Sequence, residues 1–137
     1  MIVLDTNVLS EPLRAAPDER VLAWLAAVDE PVAITAVSVG ELVVGVGHLP
    51  EGRRRTGLAA AIEALLATHA SGVLAYDAAA ARRYAVLRER RRVDGRPLSV
   101  EDGTIAAVTA VHGATLATRN TGDFVGLDVP LVDPWTP

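Results

Sequence analysis

Short apolar runs recur along this chain, each too brief to make a buried helix and each followed by a longer stretch with helical spacing. Met1–Leu4 is continuous hydrocarbon that stops at a charge, Asp5, and reads as a buried strand in the centre of a sheet. Val32–Thr35, Val73–Ala75, Ala114–Thr118 and Val129–Val132 repeat the pattern. Between them lie helical signals. Val21, Trp24, Leu25 and Val28 recur at helical spacing after Pro17, a helix opens at Ala36, and Leu58, Ile62, Leu65 and Leu66 mark another. Asp77 is placed to cap an Ala- and Arg-rich helix that runs to Arg92 and is broken by Asp94-Gly95-Arg96-Pro97. Ser99 starts the next helix, with acids in its first turn and Gly113 as its stop. Glu41 follows Ser38 at the spacing of a capping box, and Arg119–Phe124 reads as a loop.

Strands alternating with helices predict an α/β fold, a parallel β-sheet covered by helices on both faces (an α/β/α sandwich), with residues 1–137 forming one domain. Low aromatic content (4%) beside half apolar residues suits helices on a parallel sheet better than a β-sandwich. With no cysteine, disulfides and thiolate metal sites are excluded, and the chain fits a reducing, cytoplasmic setting. No basic region precedes the first apolar run, and Asp5 interrupts it, so neither a signal peptide nor a membrane span is expected.

In an open α/β sheet, ligands bind beyond the carboxyl ends of the strands. The acids fall in those places. Asp5 follows the first strand, Glu41 lies early in the helix after the second, and Asp102 is in the first turn of a later helix. Asn120 and Asp123 follow the strand Ala114–Thr118. Two unit charges about 4 Å apart repel by roughly 4 kcal/mol at an effective dielectric near 20, so such a group calls for protonation or a cation. Oxygen ligands without His or Cys favour Mg²⁺ or Mn²⁺, which could activate water for an in-line phosphoryl displacement. Asp5, Glu41 and Asp102 would hold the metal, with Asn120 and Asp123 completing the site or orienting water. Each also has a plainer role open to it. Glu41 suits a capping box, Glu101 and Asp102 suit a helix dipole, Asp123 suits a turn, and Asp5-Thr6-Asn7 can cap the segment that follows.

Four blocks of this sequence resemble those of PIN-domain proteins, and in particular VapC-type toxin ribonucleases of the FitB-like branch. Asp5-Thr6-Asn7-Val8-Leu9-Ser10-Glu11 resembles the N-terminal DTN signature, and Ser38-Val39-Gly40-Glu41-Leu42 the second motif. Ser99–Ala107 resembles the third, with Asp102 at its acid, and Thr118-Arg119-Asn120-Thr121-Gly122-Asp123-Phe124 the last. The blocks stand in family order over nearly the whole chain. The resemblance implies a PIN fold and a Mg²⁺- or Mn²⁺-dependent endoribonuclease that acts on RNA, dimerises and is silenced by a cognate VapB-type antitoxin. Some members carry Asp at the position of Asn120, which leaves open whether Asn120 or Asp123 completes the acidic set.

The net charge of −4 argues against nucleic-acid binding through bulk charge, but all the basic residues are Arg, which grips phosphate with two donors. Arg82, Arg83, Arg88, Arg90, Arg91 and Arg92 read first as the solvated face of a helix. Some of them, with Arg96 and Arg119, are candidates for RNA phosphate contact, and Arg14, close after the first strand, is another. His48, His69 and His112 have no ligand spacing and are assigned no catalytic role. Trp24 sits at core spacing, and Trp135 is expected to pack the C-terminal tail.

Two alternatives stand beside the nuclease. An aspartyl phosphatase would need a second Asp two residues after Asp5, where Asn7 stands, and a lysine, which the chain lacks. A non-catalytic binding module would keep the fold and a partner without turnover. For a partner, the small-residue stretch from Val37 to Gly47, with Val43, Val44 and Val46, offers apolar surface. With the helix around Leu58–Leu66, it could form a groove for an antitoxin helix or a homodimer face.

Overall fold

The computed structural model describes residues 1–68 and 72–137; His69 therefore lies outside the described residues. Five parallel strands are present among them: β1 (Ile2–Leu4), β2 (Val32–Thr35), β3 (Val73–Leu74), β4 (Thr115–Ala117) and β5 (Leu131–Val132). Their order is β3-β2-β1-β4-β5, which places the first apolar run at the centre, as its continuous hydrophobicity predicts. Residues 2–4 of β1 pair with residues 32–34 of β2 on one side and 115–117 of β4 on the other.

Helices α1 (Thr6–Ser10) and α2 (Glu19–Ala27) connect β1 to β2, with a single 3₁₀ turn, Glu11–Leu13, between them. Helices α3 (Ala36–Gly47) and α4 (Arg53–Thr68) lead to β3, α5 (Ala78–Val93) and α6 (Val100–Val111) lead to β4, and α7 (Thr121–Phe124) precedes β5. Side chains of a strand alternate between faces, and β1 divides the core accordingly. Ile2 and Leu4 join Val8, Leu9, Val21, Leu42, Ile62 and Trp135 on one face. Val3 joins Leu87, Ile105, Leu116, Phe124 and Leu127 on the other. The sheet is thus covered on both sides, the α/β/α arrangement expected.

The local rules hold at most helix ends. Asp77 accepts from Ala80 N and caps α5, Ser99 accepts from Asp102 N and caps α6, and Gly113 ends α6 with φ +58°. Trp24 is half-buried against the α1–α4 core, and Trp135 is buried in it. Three expectations need correction. The N-cap of α3 is Thr35, whose hydroxyl accepts from Ser38 N, so Ser38 is inside the helix and Glu41 is not the acid of a capping box. Residues 121–124, expected as loop, form the one-turn helix α7. Arg91, expected on a solvated face, is buried.

Candidate acidic site at the sheet switch point

With β1 flanked by β2 and β4, the chain leaves β1 into α1 on one face and leaves β4 into α7 on the other. A crevice opens between two such diverging connections. Asp5 stands at its floor, 5% exposed, as the N-cap of α1. Its Oδ1 accepts from Thr6 N (2.8 Å), and its Oδ2 accepts from Asn7 Nδ2 (2.8 Å) and from the Thr118 hydroxyl (2.7 Å). Capping and site placement are therefore the same geometry: the carboxylate that starts α1 is also held facing the end of β4.

Thr118 and Asn7 complete that junction. The Thr118 hydroxyl donates to Asp5 and accepts from Asn120 N (3.1 Å) and Asn7 Nδ2 (3.3 Å), while Asn7 Oδ1 accepts from Arg119 N (3.2 Å). One donor and two acceptor lone pairs of a hydroxyl are all used. Thr6, Asn7 and Thr118 received no role from the sequence beyond lying in recognisable blocks. The signal available for them was their chemistry: hydroxyl and amide side chains beside a strand-end acid, where a buried carboxylate requires donors.

Glu41 comes from the second turn of α3 and is half-buried, its Oε2 accepting from the Thr6 hydroxyl. Burial raises its pKa above the ordinary carboxylate value against the hydrogen bond from Thr6, and Asp5, Glu101 and Asp102 raise it further by repulsion. Asp102, in the first turn of α6, is also raised, by burial first and then by Asp5, Asp123 and Glu101, with a hydrogen bond from Ser99 opposing. Asp123 is exposed on α7, near enough to act on Asp102, and Asn120 precedes α7 without capping it. Glu101, read from sequence only as a complement to the helix dipole, belongs to the same acidic field.

The predicted acids thus meet at one edge, but as an open set. Among the described residues no group of three or more His, Cys, Asp or Glu side chains is spaced to hold a metal ion as it stands. The arginines are mostly engaged. Arg14 pairs with the buried Glu11 (3.2 Å), Arg96 Nη2 donates to Gly122 O (3.2 Å), and the Arg119 guanidinium lies 5.3 Å from the centre of the Trp135 ring. His48 and His112 end α3 and α6 respectively, away from the acids in sequence and role.

A doubly wound parallel sheet with acids gathered at its switch point defines a class of α/β domain, and comparison with known proteins places this chain within it. The PIN domain description matches residues 2–128, and the chain belongs to the PIN-domain family. It is 42% identical over 137 residues to Toxin FitB of Neisseria gonorrhoeae, covering 98% of this chain and 99% of that protein. It is 40% identical over 139 residues to VapC ribonuclease Y4jK of Sinorhizobium fredii, covering 100% and 99%. The crystal structure of FitAcB from Neisseria gonorrhoeae superimposes with a TM-score of 0.95 at 41% identity, covering all of both chains. No helix among the described residues is long and apolar enough to cross a membrane.

Proposed function

We propose that this chain is a cytoplasmic endoribonuclease, the toxin half of a toxin–antitoxin pair, that works with Mg²⁺ or Mn²⁺. The observation that carries the reading is the convergence of Asp5, Glu41, Asp102 and Asp123 on the switch-point edge, with Glu41 and Asp102 held above the ordinary carboxylate range. The toxin and ribonuclease names of the two relatives support it.

The donor set fits a hard divalent ion in chemistry, since it is all oxygen and carries repulsion that a cation would relieve. Asp5, Glu41 and Asp102 would hold the ion, and Asn120 and Asp123 would complete the site or orient water. Bound there, it would polarise a phosphoryl oxygen and favour ionised water as nucleophile. The remaining work belongs to the chain. Thr6, Asn7 and Thr118 keep Asp5 in one orientation. Arg14, Arg96 and Arg119 are the proposed phosphate contacts, each having exposed surface left over after its internal contact.

The proposed antitoxin surface is a cleft of about 330 Å³ between α1, α3 and α4, floored by Leu42, Val46, Leu58 and Ile62. Arg14 and Arg54 line it, and it reaches Thr6 and Glu41, so an occupant would also obstruct the acids. A solved neighbour 41% identical to this chain is a FitAB assembly bound to a DNA fragment, which supports a cognate VapB-type partner for this chain. Val43 and Val44, 51% and 56% exposed on α3, suit a homodimer contact.

A second reading, a PIN module that binds RNA or antitoxin without turnover, is favoured by Asn120, an uncharged amide where some members of the family carry Asp. Cleavage of cellular RNA by antitoxin-free protein separates the two, run with Mg²⁺, Mn²⁺ or EDTA beside Asp5→Asn and Asp102→Asn. Metal-dependent fragments absent from both variants are expected. Equal cutting by the variants would mark a contaminant, and RNA binding without cutting by folded, Mn²⁺-supplied protein would establish the binding module.

A further inference from the structure

Helix α7 has four residues, too few to be stable alone, and Asn120 gives it no side-chain cap. Yet it carries Asp123, the acid that acts on Asp102 from the β4 side. Phe124 and Leu127 anchor this segment in the core, but a hydrophobic anchor leaves the backbone free to rock. What fixes the backbone is α5 and the turn that follows it. Arg91 Nη2 donates to Asp123 O (2.5 Å) and Val125 O (3.0 Å), Arg96 Nη2 donates to Gly122 O, and Arg90 Nη1 donates to Gly126 O (3.2 Å). The remaining carbonyl of this stretch, that of Phe124, accepts from Leu127 N (3.2 Å). Every carbonyl from Gly122 to Gly126 therefore has a donor, and arginine guanidinium groups satisfy four of the five.

Arg91 is the centre of this clamp and the least expected residue in it. It is 4% exposed, has no carboxylate partner among the described residues, and its Nε is buried without a hydrogen-bond partner. Burying a guanidinium on such terms is costly, and an apolar residue in its place, one turn after the buried Leu87, would pack without that cost. The two N–H bonds of the planar Nη2, however, are fixed at one angle to each other and hold two carbonyls two residues apart, which no apolar side chain can do.

We propose that Arg91, seconded by Arg90 and Arg96, is a positioning residue of the acidic site: by gripping the carbonyls around α7 it sets where Asp123 stands relative to Asp102. The inference rests on the proposed metal-dependent function, in which Asp123 serves the site. It also gives the arginine row of α5 a different use from RNA contact.

The test is Mn²⁺ binding by calorimetric titration of the intact protein, in wild type, Arg91→Lys, Asp123→Asn and the double variant, each checked for folding by circular dichroism. Lysine keeps the charge and several donors on one nitrogen, but its tetrahedral ammonium turns on a flexible stem and does not fix the two carbonyls at the angle that the planar Nη2 imposes. Arg91→Lys is expected to weaken Mn²⁺ binding about ten-fold, the effect of losing a partner that orients a ligand, and to add little once Asp123 is already Asn. If Arg91→Lys binds as wild type while Asp123→Asn is weakened, the proposal is overturned and the site reading survives. Equal further weakening in the Asp123→Asn background also overturns it, because Arg91 would then act by another route. If Asp123→Asn itself changes nothing, the failure lies in assigning Asp123 to the site. Should Arg91→Lys not fold, the exposed pair Arg90→Ala with Arg96→Ala loosens the same turn, and unchanged Mn²⁺ affinity there overturns the proposal.

Discussion

Replacing Thr118 with Val removes one hydroxyl and nearly nothing else, so it isolates the junction between the two ends of the chain. Thr118 is fully buried, and its hydroxyl gives Asp5 Oδ2 a 2.7 Å hydrogen bond while accepting from Asn120 N and Asn7 Nδ2. A hydrogen bond to an ionised group contributes about 1.5–3 kcal/mol, and its loss leaves a buried carboxylate with two donors instead of three. Asn120 N is on an exposed residue and can turn to water, so it adds little. The expected loss of stability is therefore about 2–3 kcal/mol. For 137 residues the unfolding entropy is about 0.3 kcal/mol/K, which converts that loss to a fall in Tm of roughly 7–10 °C. In the same variant Asp5 is free to turn, and RNA cleavage is expected to drop about ten-fold through kcat. Calorimetry in EDTA and cleavage in Mn²⁺ measure the two effects, with Thr118→Ser as the control that returns the hydroxyl. The reasoning is refuted if Val costs less than about 0.5 kcal/mol, or if Ser is as poor as Val, since the methyl group and not the hydroxyl would then be the important part.

Glu41 and Asp102 have raised pKa values, so between the ordinary carboxylate range and the raised values the metal-free fold holds more protons than the unfolded chain. Their contribution to stability is full below the ordinary values and is lost as pH rises through the raised ones. In EDTA, the Tm of wild type relative to Glu41→Gln/Asp102→Asn is expected to fall as pH rises above the ordinary carboxylate range, with Mn²⁺ reversing the fall; a flat difference contradicts the assignment. At Gly103 an added Cβ would lie 2.6 Å from Tyr84 Cε2 and 3.0 Å from Leu98 Cδ2, so Gly103→Ala is expected to cost about 1–3 kcal/mol by denaturant melt despite its better helix propensity; a stabilised variant would show that the two side chains give way. Leu58→Asp in the cleft is expected to leave RNA cleavage intact while abolishing inhibition by a co-expressed cognate antitoxin, and unchanged inhibition would move the partner elsewhere.

Strands and long helices were legible because their signals are local. Val32–Thr35 was bounded to the residue, and Asp77 and Ser99 announced α5 and α6, since a cap needs only its own first turn. Two hydroxyls, Thr35 and Ser38, compete to start α3, and periodicity cannot choose between them. The sheet chooses, because Thr35 ends β2 fully buried with its hydroxyl turned to Ser38 N. Helices α1 and α7 are shorter than the window over which a period can be seen. Arg91 was hidden in a run of arginines. Its position four residues after Leu87 and eleven after Ala80 puts it on the buried stripe of α5, and that was the available sign.

The acids themselves were legible and their division of labour was not, because that division depends on donors far away in sequence. Asp5 draws hydrogen bonds from residues one, two and 113 positions distant, and its two oxygens are held in a single orientation. Glu41 and Asp102 are less well provided. Each has one hydroxyl partner, and burial and like charge together make their ionised forms costly. A site with all its carboxylates as firmly satisfied as Asp5 would have little electrostatic reason to take up a cation. A site with all of them as poorly satisfied as Asp102 would protonate or splay apart. On the proposed function, the asymmetry does both jobs: Asp5 is the fixed post against which an ion is placed, and the strain on Glu41 and Asp102 is the free energy that a divalent charge releases. The clamp on α7 keeps Asp123 within reach of Asp102 despite their like charge, and that gives a buried arginine with an unsatisfied Nε a use.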